Sequence, residues 1–361
     1  MIDQLADTPI EAIERHVRVE PQPPPDVTML DSADVLVAVK SASVGWVDLI
    51  MTSGQYQHVP KPPYTPGLEY AGVVVWKGKR AGDHVAVGDR VLSDGLLTGP
   101  RSLGAHQRWG GWASYAVAPG NAVMRIPGEL SFDQSCNLLG NYETAYHCLV
   151  ARGRVAAGET VLIHGATGST GMAAVQVAKL LGATVIATGR SDAKLAQVTA
   201  AGADHVVRTV NDDGTPRSLR DAVKALTAGR GADVVYDGVG GDISVESLRC
   251  VTFGARYLIV GWAATPFVAK GKGGRGAPNA NVLPTNLIMM KGLDVLGCPA
   301  VISTVQNPSI RPPRLAQILE WAERGAITPQ ISHRFPIGSI KEAMRAKWSG
   351  EVTGGCVVHP A

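Results

Sequence analysis

No apolar run in this 361-residue chain approaches the length of a bilayer span, so no membrane-crossing helix is expected. An excess of one charge is missing too. Thirty-four Lys and Arg stand against 31 Asp and Glu, and the net +3 is too small and too scattered to point to nucleic acid. Cysteine is scarce. The five (Cys136, Cys148, Cys250, Cys298, Cys356) are odd in number, far apart and without a C-x-x-C, which suits free thiols in a reducing cytosol better than disulfides or a structural zinc. The first residues carry Asp3, Asp7, Glu11 and Glu14 and lack an apolar centre, so no signal peptide is expected and the cytoplasm is the expected compartment. Internal repeats and long low-complexity tracts are absent as well.

With 45% apolar and 18% charged residues, the composition is that of a globular chain long enough for two domains with cores of their own. The most informative stretch is VLIHGATGSTG at 161–171. A β-branched run feeds a glycine turn, and residues 172–181 then read as a helix with Val175, Ala178 and Leu181 on one face. Written from Ala166 the turn is A-x-G-x-x-G, a variant of the dinucleotide fingerprint. Gly168 lets backbone approach a pyrophosphate, Gly171 lets the helix lie close on its strand, and the N–H groups at Thr167, Ser169 and Thr170 face the phosphate charge with the helix dipole behind them. A second strand at 184–187 gives the turn the context such a fingerprint requires.

Residues 1–30 are polar, with a proline-rich run at 21–25, and read as an N-terminal arm; 35–40 reads as a strand. From 64 to about 127, short β-like runs at 71–75, 88–92 and 112–118 alternate with glycine turns, the pattern of a compact β domain, with a polar loop at 99–111. From 135 to about 298 strands at 161–163, 184–187, 205–207, 234–237, 257–261 and 295–297 alternate with helical runs such as 191–200, 218–228 and 244–250. That is the rhythm of a doubly wound parallel sheet. Helices at 315–324 and 339–348 and a strand at 355–358 close the chain and are expected to return to the first domain.

The segments TPGLEYAGVVV, GDRV, GGWASYAV, ETAYHCL, the fingerprint and VVYDGVGG, in that order, resemble the medium-chain dehydrogenase/reductase superfamily, and within it the zinc-independent quinone oxidoreductase and enoyl reductase branch. The resemblance runs from about 35 to 358. It implies a GroES-like β-rich catalytic domain (1–134, with a return at 312–361) around a Rossmann nucleotide-binding domain (135–311), an active site in the cleft between domains, and a homodimer. Zinc members of the superfamily place a Cys, a His-Glu pair and a further Cys at what are here Gly45, Leu68-Glu69 and Asn141. No thiolate or imidazole remains for an ion that needs about four N, S or O ligands, so no metal is expected.

An acidic residue at the end of the second Rossmann strand would hold an NAD ribose, whereas arginine suits a 2′-phosphate. Arg190 stands there, with Lys194 four residues on; Asp192 is close but also reads as the first-turn acid of a helix capped by Ser191. The tyrosine that such reductases place after the third strand falls at Thr209, where neighbouring Arg208 would substitute. NADPH is the expected cofactor. Thr144, where the family's threonine approaches the nicotinamide, Gly238 and Val239 after the fourth strand, and Gly261 and Trp262 after the fifth complete the candidate cofactor set.

For catalysis, the family's N-x-x-D-x-Y segment aligns with residues 45–50 and keeps only Asp48, which is expected to orient backbone. Tyr56 in S-G-Q-Y resembles the tyrosine of mitochondrial-type enoyl reductases and is the candidate proton donor. The basic run at 270–276 reads as a surface loop or as a cover for an anionic substrate. The expected activity is hydride transfer from NADPH to a quinone or a carbonyl-conjugated C=C bond of a small molecule. The alternatives are a carbonyl reductase and an NADPH-binding sensor or structural protein with little turnover.

Overall fold

The computed structural model describes residues 1–102, 104–268 and 270–360. Among the described residues thirteen strands form two sheets. In chain order they are β1 (Asp34–Ser43), β2 (Tyr70–Lys77), β3 (Arg90–Ser93), β4 (Tyr115–Pro119), β5 (Val123–Arg125), β6 (Thr160–His164), β7 (Thr184–Gly189), β8 (His205–Arg208), β9 (Ala232–Asp237), β10 (Val251–Ile259), β11 (Asp294–Gly297), β12 (Ile331–Pro336) and β13 (Gly355–His359). Two compact units divide the chain. One takes 1–140, 270–276 and 322–360; the other takes 141–268 and 277–321.

The first unit is a seven-stranded sheet in the order β12-β13-β1-β2-β3-β5, with β4 also on β1. All its pairings are antiparallel except β12–β13. Its aliphatic core gathers Val35, Val37, Leu49, Val74, Val91 and Val123, and the closing strand β13 adds Cys356 and Val358. This is the GroES-like domain. Ile2, Ile13 and Val17 sit in the same core, and Ile2 bridges Tyr64 and Val17. The first 17 residues are therefore not the loose polar arm their composition suggests. Ile2 precedes a three-residue helix (Pro9–Glu11), Ile13 lies in the π turn after it (Ala12–His16) and Val17 follows that turn, so the three anchors leave no periodic signal.

The second unit is a Rossmann domain of six parallel strands in the order β11-β10-β9-β6-β7-β8. Every residue of β6 is buried, as expected for a strand with helices on both faces. The order reverses between β6 and β9, which makes the crevice outside their carboxyl ends the place where such sheets take ligands. The units change at 140/141 and 321/322, inside the helices Leu139–Tyr146 and Arg311–Glu323, against 134/135 and 311/312 read from the sequence. No helix among the described residues is long and apolar enough to cross a membrane.

Candidate functional site

The strand β6 ends at His164 and the chain turns through Gly165, whose φ of +66° only glycine adopts without strain. The helix Ser169–Leu180 then starts three residues earlier than its apolar periodicity indicates, with Gly168, which has no side chain to make a cap bond, as N-cap. Two glycines serve different ends. A Cβ on Gly171 would lie 2.2 Å from the Gly165 carbonyl oxygen, so helix and turn touch only because it is absent. A Cβ on Gly168 would meet nothing closer than Gly165 O at 3.4 Å. Chain neighbours aside, no other atom of the described residues comes within 4 Å of that position.

Neighbouring strand ends converge on this turn. Ala166 N–H donates to Thr188 O at 3.3 Å, and the Thr167 methyl would touch a Cβ on Gly189 at the end of β7. A Cβ on Gly165 would meet Val239, and one on Gly261 would meet the Gly238 carbonyl, whereas Gly238 itself faces open space. Asp237 fixes this second turn. Its Oδ1 accepts from Val239 N–H (2.8 Å) and Gly240 N–H (2.9 Å), and its Oδ2 accepts from Ser244 (2.5 Å) and Tyr257. Trp262 follows Gly261 and is exposed. Ala166, Thr167, Gly168, Ser169, Thr170, Gly171, Gly238, Val239, Gly261 and Trp262 are thus brought to one carboxyl edge. Gly165 belongs with them and was missed, although G-x-x-G-x-x-G counted from it is legible.

The charged groups next to this edge are sorted by their partners. Arg190 is exposed directly after β7 and makes no ion pair among the described residues. Asp192 lies in the first turn of the helix Asp192–Ala200, where Ser191 is the N-cap but makes no side-chain cap bond. The Asp192 carboxylate pairs instead with Arg208 Nη1 at 3.3 Å, and the same nitrogen meets Asp212 at 2.6 Å. Arg208 is therefore already engaged, with only its Nε left without a partner. Thr209 donates both N–H (2.9 Å) and hydroxyl (3.2 Å) to Gly189 O, tying β8 to the end of β7. Lys194 sits on the following helix. Thr144 lies in the last turn of Leu139–Tyr146, which continues as a π turn, His147–Arg152.

In the first unit Asp48 is the third residue of the helix Trp46–Thr52 and is buried. Its Oδ2 accepts from Gly45 N–H (2.9 Å) and its Oδ1 from Leu68 N–H (2.9 Å) and Gly67 N–H (3.2 Å). Burial pushes its acid constant up to about 6 against the pull of those three donors. It ties Gly45 to the Gly67–Leu68 segment. Tyr56 is half-buried beside the His58 ring, 5.9 Å between centroids, and its hydroxyl has no hydrogen-bond partner among the described residues. Residues 270–276 lie against this same unit. Lys272 N–H donates to Ser53 O at 2.8 Å, and its ammonium pairs with Asp7 at 3.4 Å.

The family model described as zinc-binding dehydrogenase matches residues 169–309, and that of the alcohol dehydrogenase GroES-like domain matches 31–128. The quinone oxidoreductase-like protein 2 homolog of Nematostella vectensis is 31% identical over 332 residues, 91% of this chain and 82% of that protein. The chain belongs to the quinone oxidoreductase branch of the medium-chain dehydrogenases/reductases. Within this branch, the quinone oxidoreductase of Homo sapiens is 28% identical over 314 residues, 86% of this chain and 83% of that protein. A probable oxidoreductase from Mycobacterium abscessus superposes with a TM-score of 0.78 at 26% identity, over 99% of each chain.

The zinc in one family name does not fit the residues present. Gly45 offers only backbone, the Glu69 carboxylate accepts from Gly140 N–H at 2.6 Å, and the Asn141 side-chain oxygen accepts from Thr170 at 3.0 Å. No three His, Cys, Asp or Glu among the described residues are placed to share an ion.

Proposed function

We propose that this chain is an NADPH-dependent oxidoreductase that works without zinc, as a homodimer, and passes hydride to a quinone or to a C=C bond conjugated with a carbonyl. The observation that carries the reading is the glycine cradle at the switch point of the parallel sheet, where among the described residues a Cβ on Gly168 would meet only Gly165 O at 3.4 Å and one on Gly238 nothing within 4 Å. A bound nicotinamide nucleotide supplies the hydride. The N–H groups opening the helix Ser169–Leu180 bind its pyrophosphate. Arg190 faces the 2′-phosphate, a choice supported by Asp192 and Asp212 both being held by Arg208 rather than left to accept ribose hydroxyls. Tyr56 is assigned the hydrogen bond or proton to the enolate oxygen, on its uncommitted hydroxyl and the family likeness. Without a metal, positioning and fixed donors supply most of the acceleration.

The test is steady-state oxidation of NADPH and NADH against a panel of enones, enoyl thioesters, quinones and aldehydes. Turnover is expected with NADPH in preference to NADH, and with quinones or enones in preference to aldehydes. Turnover confined to aldehydes makes the protein a carbonyl reductase, and binding without turnover makes it a sensor; either result rejects the proposal.

A further inference from the structure

Beneath the glycine cradle the Rossmann unit carries a polar network with no exposed member. His164, Thr188, Asp237, Ser244, Ser247 and Tyr257 are each 2% exposed or less. His164 ends β6, Thr188 lies in β7, and the Thr188 hydroxyl is 2.9 Å from His164 Nδ1. On the other side of the ring, Nε2 meets Ser247 Oγ at 2.6 Å. Ser247 already gives its hydrogen to Ile243 O at 2.5 Å, so it accepts from Nε2–H. Burial disfavours the charged ring, which leaves Nδ1 to accept from the Thr188 hydroxyl. One tautomer satisfies the chain.

Ser247 and Ser244 stand one turn apart on the short helix Asp242–Ser247, which follows the glycine turn at 238–241. Ser244 donates to Asp237 Oδ2, as Tyr257 of β10 does, while Asp237 Oδ1 accepts from the N–H groups of Val239 and Gly240. The helix is therefore a hub. Through His164 it reaches the residue before Gly165, and through Thr188, whose carbonyl accepts from Ala166 N–H, the turn after β6. Through Asp237 it reaches the turn after β9. Both turns are rich in glycine, which leaves their backbone free unless it is braced from outside. Apolar side chains of the same volume would fill this space without the cost of desolvating six polar groups. What the hydrogen bonds add is direction.

We propose that this network is the positioning device of the cradle: the helix Asp242–Ser247 holds the turns after β6 and β9 at a fixed spacing, so that a nucleotide meets both already in place. The inference rests on the cradle being a nicotinamide nucleotide site. His164, Thr188, Ser244, Ser247 and Asp237 are positioning residues, acting only through the backbone they hold. Their effect falls on the part that NADPH and NADH share, unlike that of Arg190.

The full-length parent protein, Thr188→Val, Ser244→Ala and the double variant are titrated with NADPH and with NADH by fluorescence, beside thermal melts. Thr188→Val keeps the shape of the side chain and removes the hydroxyl. Each single change is expected to weaken both nucleotides about tenfold and by the same factor, and Thr188→Ser to keep the parent affinity. The double variant is expected to lose less than the product of the two single losses, because both changes release the same helix. Folded single variants that bind both nucleotides as tightly as the parent would overturn the proposal, whatever their melting temperatures. So would a double variant whose loss equals that product. Should the variants fail to fold, nitrogen NMR of the parent's His164 ring, assigned through its backbone resonances, decides. Nε2 is expected to carry the only ring hydrogen, and the ring signals to move at saturating NADPH; a hydrogen on Nδ1 or unmoved signals overturn the proposal. A parent that binds neither nucleotide rejects the nucleotide reading itself, whereas a binding parent with equally tight variants rejects only the positioning role.

Discussion

Arg190 and Arg208 stand at the ends of adjacent strands and carry the same charge, yet their surroundings separate them. Arg208 is paired with Asp192 and Asp212, so an incoming phosphate competes with two carboxylates for it. Arg190 has no such competitor among the described residues. Arg190→Ala is therefore expected to weaken NADPH binding by about 1–3 kcal/mol, the range for a hydrogen bond to a charged group, and to leave NADH binding nearly unchanged. Equal losses for both nucleotides, measured by fluorescence titration, would make Arg190 structural. At this scale the sequence was readable where a residue type is its own signal, as with glycines in a turn. It was silent where the role depends on distant backbone. Asp48 can be seen to remain from a motif, but its donors Gly67 and Leu68 lie some twenty residues on, and only folding brings them to it. The bond from His164 to Ser247 is likewise created by packing between segments far apart in the chain.

The turn and the helix Ser169–Leu180 make one element, and its glycines divide its work between folding and binding. Gly171→Ala would push a methyl to 2.2 Å from the Gly165 carbonyl oxygen, a backbone contact that cannot swing aside, and is expected to cost about 1–3 kcal/mol of stability. Gly168→Ala meets only the 3.4 Å contact, so its Tm is expected to stay near that of the parent while NADPH affinity falls about tenfold, ~1.4 kcal/mol. Thermal melts and nucleotide titrations on the two variants separate the roles; a stable Gly171→Ala protein, or a Gly168→Ala protein with full affinity, contradicts this division. The Rossmann elements were legible because buried parallel strands read as apolar runs between helices. Their ends were less so. β10 begins at Val251, six residues before its apolar run, because Val251 pairs with Ala232 across a register shift. The helix at the fingerprint begins at Ser169, and the sequence did not show this start because Ser and Thr carry no apolar periodicity.

At the scale of the whole molecule, β11 is an edge of the parallel sheet with a half-exposed Val295 and Leu296. Beside it Phe253, Met289 and Met290 are 79%, 74% and 66% exposed. An edge strand flanked by bare apolar side chains is usually covered. Sedimentation equilibrium at micromolar concentration is expected to give a dimer, and Met290→Glu to shift it toward monomer; a monomeric parent protein contradicts the pairing. The central claim, hydride transfer to a conjugated acceptor, is tested most directly by tracing the hydride itself. The protein is given NADPH deuterated at the transferred position, with an enone in ordinary water, and the product is examined by NMR. The account predicts deuterium on the carbon β to the carbonyl and ordinary hydrogen on the α carbon, which takes its proton from solvent. Deuterium on a carbinol carbon, with the C=C bond intact, would contradict it.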